Sequence, residues 1–127
     1  ENLFDMPGEY MLEIWDRLFE KYPAEFLGLC FDTGHANIIW REKTTDIMKK
    51  YQDRIYAVHL HDNNASVDFH RLPGEGNISW KSVIKILADS PYEGPVVLEV
   101  NSYDPEPEIF LKKAYEAGCY LNSLLKD

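Results

Sequence analysis

Three apolar runs in this chain end on residues that can bind a metal or move a proton. Leu29-Cys30-Phe31 gives way to Asp32-Thr33-Gly34-His35, the run from Ile55 to Leu60 leads through His59 to His61 and Asp62, and Val96-Val97-Leu98 leads into Glu99. Glu1 opens the sequence. Imidazole and carboxylate together are the donor set of a divalent ion with open positions. Carboxylates gathered this densely repel one another unless a cation lies among them. Taken singly, an Asp at a strand end is ordinarily a turn or helix cap, and a lone buried His a hydrogen-bonded core residue. The repetition at successive strand ends is what singles these out. A second group follows. Asp68-Phe69-His70 places two donors two residues apart, on one side of an extended backbone. Pro73-Gly74-Glu75-Gly76 makes a tight turn whose glycines let the backbone approach a ligand closely. On its own, that segment reads equally well as an ordinary polar loop.

The elements that must position these residues alternate between two periods. Met11, Leu12, Ile14, Trp15, Leu18, Phe19 and Tyr22 recur at helical spacing, with Asp5 and Pro7 as start signals and Pro23 as the stop. Leu27 to Phe31 is a continuous apolar strand. Glu42 to Tyr51 is a weaker helix with Ile47, Met48 and Tyr51 on one face, and Ile55 to Leu60 is the next strand. A polar, glycine-containing loop runs from His61 to Ser79. Ser79 can cap a helix whose stripe is Trp80, Val83, Ile84 and Leu87. Tyr92-Glu93-Gly94 turns into a third strand, Pro95 to Leu98. A last helix from Pro107 towards Leu125 buries Phe110, Ala114, Ala117, Leu121 and Leu125. Trp15 and Trp80 read as core. Trp40, near the strand-end rim, reads as core or as a wall of a substrate pocket.

Strands apolar on both faces, alternating with amphipathic helices, imply an α/β fold with parallel strands covered by outer helices. A complete eight-stranded βα barrel takes about 250 residues, and this chain has 127. The reading is therefore a single domain over residues 1–127, the C-terminal half of a (β/α)8 TIM barrel. In such a barrel all the singled-out strand ends fall on the C-terminal rim, where active sites form.

Composition removes several function classes. With 45% hydrophobic and 28% charged residues the chain can bury a core. No apolar run approaches the ~20 residues of a membrane helix. The opening residues lack the basic-then-apolar order of a secretory signal. Two cysteines without a CxxC spacing argue against a disulfide scaffold or a cysteine zinc site, and a reducing cytoplasm is the expected compartment. A net charge of −9 argues against nucleic acid as a partner.

The motifs Phe31-Asp32-Thr33-Gly34-His35-Ala36-Asn37, Val58-His59-Leu60-His61-Asp62-Asn63, Asp68-x-His70-x-x-Pro73-Gly74-x-Gly76, Trp80 and Leu98-Glu99-Val100 resemble, in order and spacing, the xylose isomerase-like TIM-barrel superfamily. That superfamily includes sugar phosphate isomerases and epimerases and the endonuclease IV-type AP endonucleases. The resemblance implies a divalent metal held by Glu1, Asp32, His59 and Glu99, with Glu1 and Glu99 doubling as the acid/base pair. It implies Mn²⁺, Mg²⁺ or Co²⁺, with Zn²⁺ as an alternative. His35 is expected at substrate oxygens, with His61 and Trp40 as further substrate-site residues. In the endonuclease branch His35, Asp68 and His70 correspond to further zinc ligands.

The implied activity is isomerisation or epimerisation of a sugar or sugar phosphate, by proton transfer next to a carbonyl. The alternatives are a zinc phosphodiesterase acting on abasic DNA and a catalytically incomplete fragment. A half-barrel leaves open sheet edges, so pairing with a second copy or with the missing N-terminal half is expected.

Overall fold

The computed structural model describes residues 1–3 and 5–125. Two parallel strands, β1 (Leu29–Asp32) and β2 (Ile55–His59), lie side by side, with Asp32 opposite His59 and Phe31 opposite Val58. Helix α1 (Gly8–Lys21) precedes them. Helices α2 (Thr33–Trp40) and α3 (Thr44–Lys50) connect them, and α4 (Trp80–Asp89) and α5 (Pro107–Ser123) follow. This is the mixed, parallel, helix-covered arrangement the alternating periods imply.

Helix α2 has no counterpart in the sequence reading, which places only one helix, from Glu42, between the strands. Asp32 ends β1 and at the same time caps α2, its carboxylate accepting from the His35 backbone N–H at 2.7 Å. Thr33, Gly34, His35, Ala36, Asn37 and Trp40 are all buried. A short helix buried almost all round shows no apolar stripe, so periodicity misses it. It ends at Arg41, whose φ of 52° breaks the helical path, and the second helix begins at Thr44 rather than Glu42.

The third strand is reduced to one parallel bridge, Leu60 to Leu98. The Leu60 N–H donates to the Val97 carbonyl at 2.8 Å, and the Glu99 N–H donates to the Leu60 carbonyl at 3.1 Å. With a neighbour on one side alone, Val96 and Val97 stay half exposed. The first strand starts at Leu29 rather than Leu27, and Leu60 pairs with Leu98 outside β2 proper. Ser79 stands at the start of α4, but its hydroxyl meets the Ser82 hydroxyl at 3.0 Å instead of capping a backbone N–H. Leu125 lies past the end of α5 and is exposed.

The core forms where the helices meet the strands. Phe31, Val58, Leu60, Met48 and Val83 are sealed from solvent, and the expected α4 stripe is buried with Ile86 added. Trp40 joins this core, its ring edge-on to Trp15 at 5.6 Å.

The 61–79 loop is organised by Asp62. Asp62 and Arg71 exchange backbone hydrogen bonds of 2.8 and 3.0 Å. The Asp62 carboxylate, fully buried, accepts from the Gly74 N–H (2.9 Å), the Trp80 indole N–H (2.7 Å), the Asn63 N–H (2.9 Å) and the Ile78 N–H (3.3 Å). A Cβ on Gly76 would run into that carboxylate and the Asn63 carbonyl. Trp80→Phe keeps the ring in the core but withdraws one donor from a buried charge. It is expected to lower stability by about 1–3 kcal/mol, read as a lower urea midpoint with unchanged m-value.

Candidate functional site

Each site residue is delivered by backbone pairing. Asn2, fully buried, exchanges two bonds with Asp32: its amide donates to the Asp32 carbonyl at 2.8 Å and its carbonyl oxygen accepts from the Asp32 N–H at 2.8 Å. This clamp seats Glu1 beside the end of β1. The register of β1 and β2 sets Asp32 next to His59, and the Leu60–Leu98 bridge brings up Glu99. One oxygen or nitrogen from each of Glu1, Asp32, His59 and Glu99 lies within 4.8 Å of all the others. His59 Nδ1 is 2.9 Å from Glu99 Oε2, 3.5 Å from Glu1 Oε1 and 4.0 Å from Asp32 Oδ2.

These donors fit a divalent ion. His59 Nδ1 is buried and has no hydrogen-bond partner, because even its close approach to Glu99 is off the line a hydrogen bond needs. Like charges 4 Å apart repel by about 4 kcal/mol at an effective dielectric of 20, so three carboxylates around one imidazole call for a cation. An oxygen-rich set with a single imidazole suits Mn²⁺, Mg²⁺ or Co²⁺, and also Zn²⁺. Cys30 lies beside Glu1 and His59. Burial, and then the Glu1 charge, push its thiol up, which disfavours a competing thiolate.

A second cluster adjoins the first. His35, His61, Asp68 and His70 also bring one donor atom each within 4.8 Å of the rest. Asp68 is at the centre, with Oδ2 2.9 Å from His70 Nε2 and 3.4 Å from His35 Nε2, and Oδ1 3.8 Å from His61 Nδ1. The His61 and His70 rings stack at 3.9 Å and 8°. His70 has a φ of 49°, a left-handed backbone that a non-glycine residue adopts only where its surroundings impose it.

Asp32 joins the two clusters, since His61 Nε2 lies 2.9 and 3.1 Å from its two oxygens. Burial works against ionising Asp32. The His61 hydrogen bond and charge, and the His35 N–H, outweigh it and hold the carboxyl below the usual range. For His70 burial likewise opposes the charge. The bond to the Glu99 carbonyl and the nearby Asp68 nevertheless raise its imidazole above the usual value.

All four residues Glu1, Asp32, His59 and Glu99 thus come together, as do His35, Asp68 and His70. Trp40 stands apart from both groups, in the core. His61, expected at a substrate, is fully buried and sits between Asp32 and Asp68. The chemistry of the motifs does not reveal the positioning residues. Asn2 is one. Thr33 is another, because its hydroxyl donates to the His61 carbonyl at 3.0 Å and accepts from the His61 N–H at 3.2 Å. Gly34 carries the one signal that could locate His61, because a Cβ there would collide with the His61 ring.

Comparison with known proteins points the same way. A family model described as a xylose isomerase-like TIM barrel matches residues 1–117. An uncharacterised protein of Sinorhizobium fredii is 34% identical over 98% of this chain and 40% of its own length. An inosose dehydratase of Salmonella typhimurium is 32% identical over 88% of this chain and 42% of its own. A crystal structure of a D-tagatose 3-epimerase-like protein superposes with a TM-score of 0.64 at 31% identity, over 79% of this chain and 35% of that one. The chain spans about two fifths of the length of the curated relatives.

Gly34 and Gly118 give opposite expectations. Gly34→Ala must displace a sealed imidazole and is expected to destabilise by about 1–3 kcal/mol. Gly118 lies within α5, and a methyl group there would meet nothing within 4 Å. As alanine it should gain up to about 1 kcal/mol. Paired urea denaturation curves of the two variants check this.

Proposed function

The chain belongs to the xylose isomerase-like TIM-barrel family, and on that premise we propose that it carries the catalytic rim of a metal-dependent sugar isomerase or epimerase. The observation that carries the reading is the convergence of Glu1, Asp32, His59 and Glu99, with a buried His59 nitrogen left without a partner.

A divalent ion held by these four residues supplies Lewis-acid polarisation of a substrate carbonyl. The chain's own residues do the rest. One of the two glutamates, Glu1 or Glu99, takes the proton from the carbon next to the carbonyl, and the electron pair moves into the adjoining C–C bond. The other returns a proton, to the opposite face for epimerisation or to the neighbouring carbon for isomerisation. His35, with its imidazole fixed by the Asn2 carbonyl at 3.0 Å, holds substrate oxygens. The names of the relatives support a sugar or polyol ketone as the substrate class. Loss of a proton from the carbon beside a carbonyl is a common first step open both to inversion at that carbon and to loss of water from its neighbour.

The test uses the whole protein that contains this chain. Incubated with Mn²⁺ and a panel of keto sugars, sugar phosphates and inososes in D₂O, it should exchange the proton beside the carbonyl, followed by NMR. Glu99→Gln should lower that exchange by ~10²–10⁴-fold with the far-UV spectrum unchanged. Undiminished exchange in the variant overturns the proton-shuttle role.

One observation favours a second reading, a zinc phosphodiesterase of the endonuclease IV type: Asp68 and His70 do meet His35. The net charge of −9 weighs against it. A salt-sensitive shift of abasic DNA would establish it, and its absence would leave the sugar reading.

The reading also includes association. An apolar groove of about 320 Å³ is lined by Ile84, Leu87, Val96, Leu98, Leu121 and Leu125, beside the one-sided Leu98 pairing. We expect this edge to be covered by a second copy or by the N-terminal half of the barrel. Native mass spectrometry of the chain should show oligomers, and a monodisperse monomer at high concentration overturns the self-pairing.

A further inference from the structure

We propose that the polar cavity behind α2, lined by Asn37, Arg41, Glu42, Thr45, Asn64 and Asn77, is an accessory binding site for an uncharged polyhydroxylated ligand of monosaccharide or cyclitol size. The inference does not rest on the substrate of the rim.

The cavity has a volume of about 350 Å³, within the range of small-molecule sites, roughly 300–1,000 Å³. It lies where the end of α2 and the start of α3 meet both ends of the 61–79 loop. His35, which belongs to the rim, and Asn37, which lines the cavity, are two residues apart on α2. Two residues turn a helix by about 200°, so the cavity and the rim lie on opposite sides of α2. Two of the three described non-glycine residues with left-handed backbone, Arg41 (φ 52°) and Ala65 (φ 64°), stand in its wall. Such backbone persists where the surroundings impose it, and it gathers at ligand sites.

The hydrogen bonds of the surrounding asparagines decide which polar atoms remain for a ligand. Asn63 is fully buried. Its amide donates to the Gly34 carbonyl at 2.9 Å and its side-chain oxygen accepts from the Ala65 N–H at 2.9 Å, which fixes its orientation. Asn37 meets that same oxygen at 2.9 Å. An oxygen only accepts, so Asn37 turns its NH₂ group inward. The second hydrogen goes to Asn77 at 2.7 Å, which therefore presents its oxygen and keeps its own NH₂ free. The Asn37 side-chain oxygen, in a residue only 5% exposed, accepts no hydrogen bond among the described residues. Asn64 accepts from the Ser66 N–H at 3.2 Å and likewise keeps its NH₂. Thr45 adds a hydroxyl, and Arg41 and Glu42 add one charge of each sign. The side chains of these three make no hydrogen bond or ion pair among the described residues.

Donors and acceptors in one cavity, with charges that cancel, match a ligand whose hydroxyl groups each donate and accept. An anion would be repelled by Glu42 and would leave the Asn37 oxygen without a donor, and an apolar ligand would strand every polar group. The floor of the cavity is the junction of α2 with the loop. The Asn63 carbonyl accepts from the Asn77 N–H at 3.0 Å, and the Asn63 N–H donates to the Asp62 carboxylate at 2.9 Å. A polyol that bridges Asn37 and Asn77 closes this junction from outside and holds the loop against the helix that starts at Asp32.

The experiment takes the whole protein that contains this chain, with isotope-labelled asparagine and histidine and no added metal. D-glucose and myo-inositol are each titrated alone, and inorganic phosphate is the contrasting probe. The side-chain amide NMR signals of Asn37, Asn64 and Asn77 should shift together and saturate with at least one polyol and not with phosphate, while the His35 ring signals stay in place. The double substitution Glu42→Ala, Thr45→Val removes two side chains that hold nothing else among the described residues. It should weaken the polyol about tenfold and leave Mn²⁺ binding at the rim unchanged. Glu99→Gln should leave the amide shifts in place, so failure of the sugar-enzyme reading and failure of this one are distinguishable. Should the double variant not fold, the titration of the unaltered protein decides. No saturable shift with either polyol, shifts confined to the rim histidines, a stronger response to phosphate, or unchanged polyol affinity in the folded double variant overturns the proposal.

Discussion

The fully buried Asp32 carboxylate is the point on which the rest of the rim depends. Its backbone is clamped by Asn2, one oxygen starts helix α2 through the His35 N–H, and both oxygens lie against the His61 imidazole. The same group is one of the four donors of the first cluster. Burying an unpaired carboxylate costs several kcal/mol, so this charge is tolerable only because so many donors converge on it. That requirement fixes the neighbours. Gly34 must lack a side chain, Thr33 must hold the His61 backbone, and His61 must point inward.

Asp62 shows how position along the strand end changes the work of the same residue type. It is as buried as Asp32 and one residue beyond His61, yet it faces away from both donor clusters and serves the loop. Its oxygens collect backbone N–H groups and the Trp80 indole. The loop is therefore tied at one end to α4 by Asp62. At the other end His70 donates to the Glu99 carbonyl and the Asn101 N–H donates to the His70 carbonyl at 2.9 Å. A chain segment without regular structure becomes a fixed wall by this means, and the left-handed backbone at His70 is held by bonds on both sides of the residue.

Much of this is legible in the sequence, for a definable reason. The α4 stripe and the two strands show because each buries one face or a continuous run. The donor residues show because they recur at strand ends. Helix α2 leaves no such trace, since a helix buried on nearly every side has no stripe. The third strand is shorter than its apolar run suggests because Val96-Val97-Leu98 pairs on one side alone. Trp40 is ambiguous in the sequence because its nearness to the rim says nothing about which way a helix ending there turns. His61 is expected at the substrate, whereas β2 ends at His59 and the His61 ring lies fully buried against Asp32.

The two donor clusters differ in a way that bears on their division of labour. In the first, Glu1 and Glu99 are partly exposed and His59 retains some solvent access. Carboxylates in that position can change partners during a reaction, and an ion held among them would leave room for substrate oxygens. In the second, each imidazole is locked on its far side, by Asn2, Asp32 or Glu99, and two of the three rings are buried. The partly exposed carboxylates are thus suited to chemistry and the constrained imidazoles to support. The residues that lock the second cluster also carry or adjoin the donors of the first, so rigidity in the second limits how far the working carboxylates can drift from productive geometry.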